Sequence, residues 1–159
     1  MHKSNQAPVG LFFEVVPNPG HSNHYFSYVE KLEPELEKHD GLIWLNRYKA
    51  QFDDYSLLSH QLWDSKKSLE NWRQNKQHRL AQKAGIEKHF ENYRIRIGQR
   101  LASWQAGLVT NANFELTSKS GALLVSIQSR SAISNTAFNK HAFLEGAYRG
   151  LSASDQFIT

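Results

Sequence analysis

The first apolar run of the chain, LFFEVV at 11–16, is β-branched and aromatic and is closed at once by Pro17, Asn18, Pro19 and Gly20, which predicts a strand followed by a tight turn. Beyond the turn the spacing changes. Tyr25, Phe26, Val29, Leu32 and Leu36 recur at helical intervals with charged residues between them, and Ser22 or Asn23 is placed to cap that helix. Pro34 lacks the amide hydrogen a helix would use, so a kink is expected in the last turns before Asp40 and Gly41 stop the helix.

Two β-rich runs come next, LIWLNRY at 42–48 and YSLLSHQLW at 55–63, separated by the polar stretch 51–54, and they read as an antiparallel hairpin. Asp64 and Ser65 then cap a segment whose buried stripe is Leu69 and Trp72, continued after a break near Asn75 by Leu80, Ala81 and Ala84. After Gly85 a short turn leads into YRIRI at 93–97, where basic and apolar side chains alternate as in a half-buried strand. The order βαββαβ predicts an α+β, ferredoxin-like fold: an antiparallel sheet with two helices on one face, the other face left for a partner. The domain runs from about residue 6 to 101. In the extension 102–159, the Ser-, Thr-, Asn- and Gly-rich stretch 102–120 reads as linker and ALLVSI at 122–127 as a strand. Another strand near Phe157 would make this a degenerate half-repeat, and a chain end is equally compatible; the aromatic residues between 143 and 159 suit a lid over a cavity.

Composition narrows the chemistry. With no cysteine there is no disulfide framework, thiolate metal site or cysteine nucleophile, which suits a reducing cytoplasm. The short apolar run near the N-terminus is interrupted by Glu14, so neither a signal peptide nor a membrane span is expected. The net charge of +4 is uneven, because residues 66–100 hold ten of the nineteen Lys and Arg against three acids. Such a block can bind polyanions, but no stacking platform or nucleic-acid motif accompanies it, so a solvated helix face is the expectation and nucleic acid is not. GxSxG elbows, phosphate-binding Gly-rich loops and dinucleotide fingerprints are lacking.

The succession FFEVVPNPG, LEPELEKHDGLIWLNRY, LLSHQLWDSKKSLENWRQNKQHRLAQKAG and FENYRIRIGQRL, covering residues 12–101, resembles the antibiotic biosynthesis monooxygenase (ABM) family. That resemblance implies a homodimer through the open sheet face, a dimeric α/β barrel, with a cavity between sheet and helices for a small hydrophobic or aromatic ligand. Family members include cofactor-independent oxygenases of phenolic or polycyclic substrates and haem-degrading enzymes. The haem-degrading pattern pairs an Asn on the first strand with a Trp on the second helix and a His ten residues after it. Here Trp72 matches, but Gln82 stands at the His position and Phe13 or a neighbour at the Asn position. The expectation is therefore a cofactor-independent monooxygenase of a small aromatic or quinol-like molecule, or, alternatively, a non-catalytic ligand-binding or stress-response dimer using the same cavity.

For oxygenation of a phenol the protein must accept a phenolic proton and stabilise the anion. His78 and an arginine, Arg96 or its neighbour Arg94, are the candidate catalytic groups, and Trp72, His60, Trp63 and Phe13 the candidate substrate-binding ones. Each has a plainer alternative: Trp72 as a core aromatic, His78 as a solvent-facing residue at the helix break, His60 as a hydrogen-bonded core residue, Arg94 and Arg96 as a dimer salt bridge. His21 and His24 are three apart, but two ligands are too few and no third histidine is near in sequence, so no metal is expected.

Overall fold

The computed structural model describes residues 7–51, 53–105, 108–110, 126, 128–129, 148–150 and 157–158. The first strand, β1 (Val9–Pro17), leads into α1 (Ser22–Glu37), the hairpin β2 (Leu42–Ala50) and β3 (Leu57–Trp63), then α2 (Lys66–Gln74), α3 (Lys76–Ala84), a single π turn (Gly85–His89) and β4 (Phe90–Gln99). These four strands lie in the order β4-β1-β3-β2 with every pairing antiparallel, which is the ferredoxin-like arrangement.

Local chemistry sets the boundaries. Ser65 caps α2, its hydroxyl accepting the amide of Ser68 at 3.2 Å, while Asp64 Oδ1 accepts both serine hydroxyls. Gly41 has φ +94°, and a Cβ there would overlap the side chains of Ser68 and Asp64. Glycine thus allows the start of β2 to press against the start of α2. Asn75 has an extended backbone and its side chain accepts the amide of His78 at 3.0 Å, so it ends α2 and caps α3. Helix α1 departs from expectation: His21, not Ser22 or Asn23, is its N-cap, and no side chain bonds there. Pro34 lies inside α1.

The helices cover the face of the sheet on which Val9, Leu11, Phe13 and Val15 of β1 point. Leu36, Trp63, Leu69 and Trp72 complete one buried cluster with Val9 and Leu11, and Tyr25 and Leu57 complete a second with Val15. Trp63 is fully buried with its indole N–H donated to Gln61 Oε1 at 3.0 Å. Strand β4 is barer than a half-buried strand should be: Tyr93, Ile95 and Ile97 are each more than 40% exposed, since they lie at the sheet edge.

Past Leu101 the reading of 102–120 as linker is corrected at its start, where β5 (Ser103–Gln105) and β6 (Leu108–Thr110) form an antiparallel pair. The β-formers Trp104, Leu108 and Val109 outweigh the polar composition of the wider stretch. The expected strand at 122–127 lies outside the described residues apart from Ser126, which is in no strand. Further on, β7 (Gln128–Ser129), β8 (Tyr148–Gly150) and β9 (Phe157–Ile158) extend the sheet in the order β2-β8-β9-β7. The strand expected near Phe157 is therefore present, and parts of the expected lid are sheet.

Candidate active site

The second face of the sheet, away from the helices, brings together the polar groups that the core does not use. Across it the register aligns Arg96, Phe12, His60 and Asn46 in one row, and Arg94, Glu14, Leu58 and Tyr48 in the next. Trp44 joins them because β2 is bulged between Leu42 and Trp44: Leu42 opposes Trp63 on the helix side, and Trp44 opposes Leu62 on the second face. The His60 ring is thereby boxed. Phe12 stacks on it at 4.0 Å, and Trp44 meets it edge-on at 4.7 Å with an interplanar angle of 86°.

His60 is 4% exposed, and its Nδ1 is buried with no hydrogen-bond partner. Loss of hydration lowers its pKa to about 4, so the ring is neutral at pH 7. Tyr48 is fully buried on the same face; burial raises its pKa, which the nearby Asn46 side chain partly offsets, and its hydroxyl makes no well-directed hydrogen bond. Buried polar atoms are rarely left unsatisfied, and these two lie on the same face of the sheet. Glu14 gathers the arginines beside them, accepting from Arg94 Nε at 2.6 Å and from Arg96 Nη2 at 2.9 Å. Arg94 and Arg96 thus belong to an ion-pair cluster with Glu14 within the chain.

The residues singled out in the sequence divide between the two faces. Phe13, Trp63 and Trp72 are on the helix side, where Trp63 and Trp72 are core. His78 stacks on Trp72 at 4.6 Å, and its Nδ1 lies 3.1 Å from the Trp72 carbonyl, which can only accept; the lone pair is thus on Nε2. Burial lowers the His78 pKa, the Trp72 carbonyl opposing and the charge of Arg73 assisting. His60 and Arg96 are on the second face, so the sheet separates His78 from Arg96. Phe12, Trp44, Asn46 and Tyr48 were not foreseen. Parity along β1 and β3 would have found Phe12 beside His60, but the bulge hid Trp44, Asn46 and Tyr48 by shifting the alternation of β2.

At the α2–α3 joint Glu70, Arg73, Gln74 and Arg79 line an open cleft of about 250 Å³. Its charged walls suit small anions better than an aromatic ligand. Among the described residues no helix is long and apolar enough to cross a membrane.

Residues 8–84 match the family model described as antibiotic biosynthesis monooxygenase. A protein of Pyricularia oryzae named jasmonate monooxygenase ABM is 37% identical over 93 residues, or 58% of this chain and 43% of that protein, so the chain spans less than half of that relative's length. Among solved structures, one from Pseudomonas aeruginosa is 20% identical over 64% of this chain and all of its own, with TM-score 0.54. Another, from Mycobacterium tuberculosis, is 14% identical over 62% of this chain and all of its own, with TM-score 0.56. At such identities the structural likeness establishes the fold alone.

Proposed function

We propose, from the match of residues 8–84 to the antibiotic biosynthesis monooxygenase family model, that the chain is a cofactor-independent monooxygenase of a small aromatic or quinol-like molecule. The observation that carries this reading is the buried, neutral His60, its Nδ1 unpartnered between the rings of Phe12 and Trp44. A planar substrate with a weakly acidic phenol or an adjacent activated C–H would give that nitrogen its missing partner, and on deprotonation would leave an anion that can reduce oxygen. Arg96, one register position beyond Phe12, is the group best placed to hold the negative charge, and Tyr48 and Asn46 would orient a hydroxyl or carbonyl.

The electron balance restricts the substrate. The anion passes one electron to O2, the two radicals combine to a peroxide at carbon, and loss of the remaining C–H proton with O–O cleavage leaves a carbonyl and releases water. An activated CH2 becomes C=O, a four-electron oxidation that consumes one O2 and needs no external reductant. An unactivated alkyl C–H would require two electrons from elsewhere and is not a substrate on this reading.

Oxygen-electrode screening of hydroxylated anthrones, naphthols and hydroquinones tests the proposal. The expected result is enzyme-dependent uptake of one O2 per substrate, with one 18O from labelled oxygen in the product. Tight binding without uptake would favour the non-catalytic ligand-binding alternative. The assembly that accompanies this reading is a homodimer, giving twice 18.3 kDa by light scattering. A monomer in the same measurement would overturn the homodimer and leave the match to the family model intact.

A further inference from the structure

Away from the second face, three histidines from two distant segments meet at one end of the domain. His21 caps α1 and His24 lies in its first turn, whereas His89 closes the π turn. Nδ1 of His21 and Nδ1 of His89 are 3.0 Å apart, the rings of His24 and His89 stack at 4.5 Å with planes 24° apart, and those of His21 and His24 are 5.3 Å apart. The third member lies 65 positions after His24, out of reach of any reading of local spacing.

We infer that His21, His24 and His89 form a proton-responsive latch, which fastens the π turn to the start of α1 at neutral pH and releases it in mildly acidic solution. An N···N hydrogen bond between two imidazoles requires one of them to present a lone pair, so the pair tolerates one shared proton and breaks with two. The His24–His89 stack likewise holds two neutral rings, or one neutral and one charged, but two imidazoliums at 4.5 Å repel.

The surroundings oppose a charge on His89. Lys88 adjoins it, and α1 starts beside it with no acidic residue in its first turn. Tyr28, whose ring is 6.0 Å from His89, faces the cluster from the next turn of α1 and has the Lys31 ammonium 5.5 Å from its ring centroid. Of the nearby carboxylates, Glu87 pairs with Lys83, and Glu91 is exposed on β4. Asn18 adds uncharged ties, its amide donating to the carbonyl of His89 at 2.8 Å and its side chain to that of Lys88 at 3.1 Å. The His89 pKa is accordingly lowered, by burial first and then by the charges of His24, His21 and Lys88. A base with a lowered folded pKa stabilises the closed form fully above the ordinary histidine range, and that contribution is lost as pH falls below it.

Hydrogen exchange of the full chain at about pH 7.5 and pH 5.5, corrected for intrinsic rates, reads the latch directly. Amides of residues 85–90 are expected to lose about tenfold in protection at the lower pH relative to the sheet. In His89→Gln the glutamine can still bond His21 but cannot titrate, so the segment's protection should become independent of pH; His24→Gln should reduce the acid opening. Equal protection of the wild type at both pH values would overturn the inference, as would undiminished acid opening in His89→Gln. So would zinc-dependent protection of this segment in the wild type alone, which would reassign the cluster to metal binding.

Discussion

His60→Phe is expected to lower turnover by about two to four orders of magnitude while leaving the protein at least as stable as the wild type. The two effects have one cause. The imidazole nitrogen is buried without a partner, so its desolvation is a standing cost, of the order of 1–3 kcal/mol for such a group, which a benzene ring does not incur. Phenylalanine preserves the stacking on Phe12 and the edge contact with Trp44. It also removes a titration. With a folded pKa of about 4, His60 contributes stability above pH 6.5 that is lost as pH falls toward 4, because the unfolded chain takes up the proton first. Between pH 8 and pH 5 this amounts to about 2 kcal/mol, so denaturant midpoints of the variant should fall less on acidification than those of the wild type. Loss of stability together with activity would mark His60 as a structural residue. As a contrast, His78→Gln should change turnover by less than about threefold, since His78 is on the other side of the sheet.

Trp72→Ala is expected to destabilise the domain by about 3–5 kcal/mol, enough to lower the thermal midpoint by more than about 10 °C. Trp72 is 3% exposed and fills the cluster of Val9, Leu11, Leu36, Trp63 and Leu69, with the rings of His78 and His39 at 4.6 and 5.4 Å. Truncation therefore leaves a cavity beneath both halves of the broken helix, and the His78 ring loses the surface on which it stacks. Trp72→Phe should recover most of the stability, because the cluster needs volume more than the indole nitrogen. If the indole instead stacks on substrate, Trp72→Phe will raise KM strongly at unchanged stability, and calorimetry alongside kinetics separates the two.

The fold was legible in the sequence because each element announced itself locally: the aromatic run before Pro17, the helical spacing from Tyr25 to Leu36, the Asn75 break, the alternation around Ile95. The candidate site was legible only in part. His60 stood out as a polar ring between Leu58 and Leu62, but the side of the sheet it faces depends on strand register. That register is set by an extra residue at Ile43 that apolar periodicity does not reveal, since Leu42, Ile43, Trp44 and Leu45 are all apolar. His78 and Arg96 were paired on their chemistry, which carries no information about the sheet that lies between them. The meeting of His89 with His21 follows from β1 and β4 being neighbours with Pro17 opposite Phe90, which is long-range information.

The short strand β8 bonds to the far half of β2, with Tyr48 opposite Gly150 and Ala50 opposite Tyr148. Unpaired strand edges are templates for association, and this one belongs to the strand that carries Trp44, Asn46 and Tyr48. A chain trimmed after β4, at about residue 101, would expose that edge and recruit other copies of itself in place of β8. The resulting particles would be larger than the native assembly for a reason unrelated to it, and their aggregation could be mistaken for misfolding of a domain whose core is intact.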